Sequence, residues 1–301
     1  MSKHCSKSEW GIRSNDAEVD AQVLPSYSAF QSVLLLGEAD FSFTKAFAQE
    51  QIAGIREGTG NEDEVMKIVA SEYGSGIEIA NRYFDANQQR LSEHLNSLFH
   101  FQLIKEVISG LNARNLGNYN ERRTRKKLAG DDSNEVGKQH VCTCSRWNIS
   151  ENCWDKPSPF WKNDTSDEDS YDLIIFNFPH SNQAGRATRL VKAFFKQMRI
   201  CIDAGKLTND VVIEMRLRTI ETNPQYKRNI RSFYCHEESA EECGFICIGC
   251  WPSDLQRWEK WGYKHKMTKK NETCRDIGAN CKVWRWSSVR STEQQNQRKQ
   301  S

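Results

Sequence analysis

Ser32-Val33-Leu34-Leu35-Leu36-Gly37-Glu38-Ala39-Asp40-Phe41-Ser42-Phe43 is where order begins in this chain. The unbroken apolar run Val33 to Leu36 lacks the alternation of a half-exposed strand, so it reads as a strand buried on both faces. Gly37 ends it, and Phe41, Phe43, Phe47 and Ala48 then recur at helical spacing. Working outward, further strands are predicted over 66–71, 101–108, 171–177 and 211–217, with closing strands over 245–248 and 281–286. Helices are predicted over 86–98, 187–202 and 236–243. Strands alternating with helices predict an α/β fold: a seven-stranded, mostly parallel sheet with helices on both faces.

One segment breaks that rhythm. Between residues 117 and 170 only 13 of 54 positions are apolar, so it is read as a long polar insertion before the fourth strand. The expected organisation is a polar lead-in over 1–30, one domain over 31–286 carrying that insertion, and a disordered tail over 287–301. The chain has 42 Lys+Arg against 40 Asp+Glu, a net charge of +2, but residues 205–301 carry 18 basic and 12 acidic side chains. That basic third is compatible with a polyanionic partner and equally with a solvated surface. No apolar stretch approaches the ~20 residues of a membrane span, and residues 1–20 lack the apolar block of a signal peptide. Eleven cysteines without a repeating framework fit reduced thiols in nucleus or cytoplasm. Cys243, Cys247 and Cys250 with His236 lack the two regular ligand pairs of a zinc site, and no metal is expected.

Two strand ends concentrate the chemistry. In an open parallel sheet, ligands bind at the carboxyl ends of strands, beside the reversal of strand order. Gly37 lets a ligand approach the backbone, and the following helix N-terminus offers unpaired N–H groups. Ala39 stands where a dinucleotide fingerprint has its second glycine, which favours a nucleoside ligand without a pyrophosphate. Glu72, past the second strand, has the position to accept from ribose hydroxyls, and Asn112-Ala113, past the third, to meet an adenine edge. Asn177-Phe178-Pro179-His180 ends the most apolar strand: an amide for a base edge, a stacking face, a fixed backbone and a group titrating near neutrality.

The Gly37 and Asn177 motifs together resemble the 25S rRNA uridine-N3-methyltransferase family of fungi and its plant and animal relatives. Leu111-Asn112-Ala113-Arg114-Asn115-Leu116 and Trp261-Gly262-Tyr263-Lys264 match that family more loosely, and the resemblance spans about residues 31–286. It implies a Rossmann-like methyltransferase that binds S-adenosyl-L-methionine and methylates a base in RNA. On that resemblance Gly37, Glu38, Ala39, Asp40, Phe41, Ser42 and Phe43 border the cofactor, with Glu72 at the ribose and Asn112 and Ala113 at the adenine. Asn177, Phe178, Pro179 and His180 then face the target base, with His180 on the proton route. Two departures bear on the cofactor: Ala39 replaces a glycine, and Asn112 replaces an aspartate.

The implied partner is rRNA or a pre-ribosome, in nucleus, nucleolus or cytoplasm. Tyr263, Lys264, Lys266, Lys269 and Lys270 have the aromatic and basic composition that grips RNA. Two rival readings keep the same fold: a non-catalytic RNA- or ribosome-assembly-binding module, and a methyltransferase acting on another base or a small molecule.

Overall fold

The computed structural model describes residues 26–56, 66–116, 142–161, 170–179, 184–218, 235–252, 255–265 and 281–288. Strand β1 (Ser32–Leu36) lies at the centre of the sheet, with β2 (Lys67–Glu72) parallel on one side. Strand β3 (Ile104–Ser109) continues outward from β2, also in parallel. Beyond β3, β4 (Thr143–Asn148) runs antiparallel and pairs with the short β5 (Cys153–Trp154) and β6 (Ser158–Pro159). On the other side of β1 come β7 (Leu173–Asn177) and β8 (Val212–Arg218), both parallel to it. Two antiparallel strands close that edge, with β10 (Cys281–Ser288) between β8 and β9 (Phe245–Pro252). The strand order is β5-β4-β3-β2-β1-β7-β8-β10-β9, with β6 beside β4.

The apolar runs form strands because both their faces are covered. Val33, Leu35, Ile68 and Ile175 point into one core; Leu34, Leu36, Ile174 and Ile213 point into the other. The first core is roofed by α1 (Ser42–Arg56), α2 (Gly76–Tyr83) and α3 (Gln88–Phe99). The second is roofed by α4 (Ala184–Asp203) and α5 (His236–Glu241). A short α6 (Leu255–Glu259) adds Leu255 and Trp258 to the first core. Among the described residues no helix is long and apolar enough to cross a membrane.

Three expectations need correction. The sheet is mixed and ten-stranded: five parallel strands at its centre and antiparallel additions at both edges, not seven mostly parallel strands. Part of the presumed insertion, residues 142–161, forms β4 to β6. Its Cys144, Trp147, Phe160 and Trp161 are buried, and Trp147 Nε1 donates to Asn96 at 2.8 Å. The low average apolar content hid these few large side chains. Gly76 is required there, because a Cβ on it would stand 2.1 Å from Trp154 Nε1. The helix expected over 86–98 is present as α3, and α2 precedes it as a helix the sequence reading did not include. Ser75 and Glu78 make a capping box on α2, and Asn87 caps α3 by accepting from the Arg90 N–H. The domain edges also move: Tyr27 is fully buried although it lies in the expected lead-in, and Ser287 and Ser288 belong to β10.

Candidate active site

Strand order reverses between β1 and β7, and a crevice opens at their carboxyl ends. The register pairs Leu36 with Phe176, so Gly37 and Asn177 lie side by side. Gly37 has φ of 73°, and a Cβ on it would stand 3.2 Å from the Asn177 carbonyl oxygen. Glycine is needed on both counts: conformation and close approach. Ala39 (φ 56°) and Phe41 (φ 61°) also sit in the left-handed region, so the turn is tightly wound before α1 begins.

A cavity of about 530 Å³ occupies this crevice. Of the residues expected to hold a cofactor, Gly37, Ala39, Glu72, Asn112 and Ala113 line it, and Asn177, Phe178 and Pro179 line its other wall. Glu38, Asp40, Phe41, Ser42 and Phe43 do not line it. Phe41 and Phe43 are core residues, and Phe43 packs edge-on against Trp258 and Tyr263. Ser42 donates its N–H to Asp40 Oδ1 at 3.1 Å, which shapes the turn. Glu72 Oε2 accepts from the Ala39 N–H at 3.0 Å, tying the β1 and β2 turns together. Burial pushes its carboxyl above the usual carboxylate range, against the pull of that bond. Asn112 Oδ1 accepts from the Arg114 N–H at 3.0 Å, so this amide builds its own loop as well as facing the cavity.

Behind the cavity wall runs a buried polar chain. Glu38 accepts from Thr44 Oγ1 and from Asn177 Nδ2, each at 2.7 Å. Asn177 Oδ1 accepts from Arg216 at 3.1 Å. Arg216 pairs with Glu214 at 2.8 Å and donates to the Tyr27 hydroxyl at 2.9 Å. Tyr27 in turn donates to Glu214 at 2.8 Å, and Arg285 pairs with Glu214 at 2.7 Å. Strand register explains the chain, since Asn177 is opposite Arg216 and Glu214 is opposite Arg285. The Asn177 amide is thereby fixed at both ends, keeping one N–H and one lone pair outside these two bonds.

Burial raises the Glu38 carboxyl from the ordinary 4.5 to about 7, against the hydrogen bonds from Thr44 and Asn177 and the charge of Arg216. The folded protein therefore binds this proton more tightly than the unfolded chain. Its contribution to stability is complete below pH 4.5 and is lost as pH rises through about 7, a change of about 3 kcal/mol. Glu38→Gln should flatten that loss. Urea denaturation of both proteins at about pH 5 and about pH 8 checks it, and equal pH dependence in the two would refute the assignment.

The residues expected to grip RNA divide differently. Tyr263 is buried, with its hydroxyl 3.0 Å from His265 Nδ1, and burial pushes its phenol well above the ordinary range. It is part of the core, not a surface platform, because Phe43 offers it an apolar wall. Lys264 is exposed, while Lys266, Lys269, Lys270 and His180 lie outside the described residues. Sequence reasoning missed Tyr73, Tyr83, Arg114, Arg186 and Arg189, which also line the cavity. It also missed the Arg216–Glu214 pair. Glu214 and Arg216, two charges spaced by two inside the otherwise apolar run from Val211 to Leu217, were the available signal, since such charges are buried only when paired.

A sequence profile described as BMT5-like, rRNA (uridine-N3-)-methyltransferase BTM5-like, matches residues 34–267. The chain belongs to the BMT5-like family. The match runs from β1 past Tyr263, so both walls of the cavity lie within the BMT5-like region. No curated protein matches the chain significantly. Solved structures similar to it include the 16S rRNA methyltransferase KamB, at 10% identity and a TM-score of 0.35, covering 85% of this chain and 87% of that one. An S-adenosylmethionine-dependent methyltransferase from Clostridium acetobutylicum ATCC 824 aligns at 8% identity and a TM-score of 0.34, over 85% and 83% of the two chains. The SAH-bound Podospora anserina methyltransferase PaMTH1 aligns at 11% identity and a TM-score of 0.27, over 86% and 72%. This BMT5-like chain is an RNA methyltransferase by its family.

Proposed function

We propose that the cavity binds S-adenosylmethionine and that the enzyme methylates N3 of a uridine in large-subunit rRNA. The observation that carries this is the pairing of Leu36 with Phe176, with the Gly37 turn against the end of β7 at the reversal of strand order. The residues present fit the cofactor. A volume of about 530 Å³ lies within the ~300–1,000 Å³ of small-molecule sites. Gly37 leaves free the space that a Cβ would fill, Glu72 presents a carboxyl, and Asn112 and Ala113 present an amide and a backbone edge. Bound S-adenosylmethionine supplies an electrophilic methyl on a sulfonium.

The chain's own residues do the rest. Uridine N3 carries a proton that has to leave before the nitrogen attacks. Asn177, held between Glu38 and Arg216, turns its remaining N–H and lone pair toward a pyrimidine edge. Phe178, with φ of 45°, sets an aromatic ring in the cavity wall, and Pro179 stiffens the turn beyond it. His180, next in the chain, receives the N3 proton. A flipped uridine seated against this wall displaces water from the attack. The substrate is rRNA, free or in a pre-ribosome, which is met in nucleolus, nucleus or cytoplasm.

Incubation with large-subunit rRNA and S-adenosylmethionine, followed by mass spectrometry of digested nucleosides, tests the reading. 3-Methyluridine is the expected product; a methyl on another base, or none, overturns it. A second result is expected at Asn112. Asn112→Asp keeps an acceptor for the Arg114 N–H and adds charge assistance toward an adenine amino group, so it should tighten the cofactor by roughly fivefold. Asn112→Ala should weaken it by a similar factor. Calorimetric titration reads both, and unchanged affinity in the two variants would remove Asn112 from the cofactor site.

A further inference from the structure

Three guanidinium side chains border the cavity: Arg114 in the turn after β3, and Arg186 and Arg189 near the start of α4. All three are exposed, and none is ion-paired with a carboxylate among the described residues. Arg186 and Arg189 are three positions apart on a helix, so they lie on one face as neighbours. The acidic residue lining the same cavity is Glu72, which is 6% exposed and already accepts from Ala39.

Charge balance decides what such a rim is for. S-adenosylmethionine carries a sulfonium, an ammonium and one carboxylate, a net positive charge. One guanidinium suffices for that carboxylate, and every further one opposes the sulfonium. A nucleic-acid strand instead brings one negative charge per nucleotide, and a planar guanidinium fork bonds phosphate oxygens in pairs. We propose that Arg114, Arg186 and Arg189 form a phosphate-binding rim that holds the RNA backbone flanking the nucleotide delivered to the cavity. This rests on the reading of the cavity as the cofactor and base site. Tyr73 stands at the same rim, 62% exposed, and gives an unstacked neighbouring base a ring to lie on.

The test uses the full chain, a short single-stranded oligouridine as the RNA probe, and the variants R114Q and R186Q/R189Q. RNA affinity is followed by fluorescence anisotropy across a salt series, and S-adenosylmethionine affinity by calorimetry. The double variant should lose RNA affinity on the order of tenfold at about 0.1 M salt. The slope of log affinity against log salt should fall by roughly 0.7 for each arginine removed. S-adenosylmethionine affinity should stay the same or rise. If the wild type binds both ligands and the variants keep its RNA affinity and salt slope, the rim is refuted while the function stands. Cofactor affinity falling in step with RNA affinity would refute it too, giving the arginines to the cofactor. A wild type that binds neither ligand overturns the cavity reading and the rim with it.

Discussion

Gly37→Arg is expected to weaken S-adenosylmethionine binding by more than about 100-fold while leaving the circular dichroism spectrum native. Two effects add. A side chain at φ of 73° pays a left-handed backbone penalty of about 1–2 kcal/mol, and its Cβ meets the Asn177 carbonyl oxygen at 3.2 Å. Beyond Cβ, an arginine has the cavity itself to enter, since Gly37 lines it between Leu36 and Ala39. Gly37→Ala separates the two effects. It carries the backbone penalty without the long side chain. The strain lowers stability in free and bound protein alike and reaches affinity only as far as the turn relaxes out of its left-handed conformation, so the loss should be at most roughly tenfold. Calorimetry on both variants ranks them against the wild type. If Gly37→Arg binds within tenfold of the wild type, the cofactor does not lie over the β1 turn.

The parallel centre of the sheet was legible because its two innermost strands, β1 and β7, are apolar runs that both cores demand. Val33 to Leu36 and Leu173 to Phe176 alternate between the two cores residue by residue, so neither has room for a polar position. The ends of those strands were legible for the same reason: Gly37 and Asn177 are the first residues to break the runs. The antiparallel edge of β4 to β6 was not. Trp147, Trp154 and Trp161 bury a great deal of surface from few positions, and a count of apolar residues weighs each no more than an alanine. Motif proximity also overstated the site. Phe41 and Phe43 stand within the Gly37 motif, yet the helical turn aims them into the core. The arginine rim lay beyond reach, because residues from the β3 turn and α4 meet only once strand order is known.

That order also creates the second large effect. Arg216 is fully buried and holds Asn177, Tyr27 and Glu214 at once, with its guanidinium 4.6 Å above the Phe43 ring. Arg216→Met matches its length and apolar stem but removes every one of those bonds. Breaking a buried pair from one side costs about 3–5 kcal/mol. Here Glu214 keeps Arg285 and Tyr27 as donors, so the lower end, about 3 kcal/mol, is expected. For a chain of this size that is a fall in Tm of roughly 6–12 °C. The functional effect is separate from the stability loss. Without Arg216 the Asn177 Oδ1 loses its anchor, and the amide is free to turn away from the base edge. kcat should then fall by about 10- to 100-fold, with cofactor affinity nearly unchanged, since Gly37, Glu72 and Asn112 do not touch Arg216. Arg216→Lys is the discriminating control. It keeps the charge beside Glu214 and so recovers much of the stability, but a single ammonium cannot span Asn177, Tyr27 and Glu214 together, so kcat should stay low. If Arg216→Lys restores stability and kcat in equal measure, Arg216 serves the fold alone and Asn177 is positioned by Glu38.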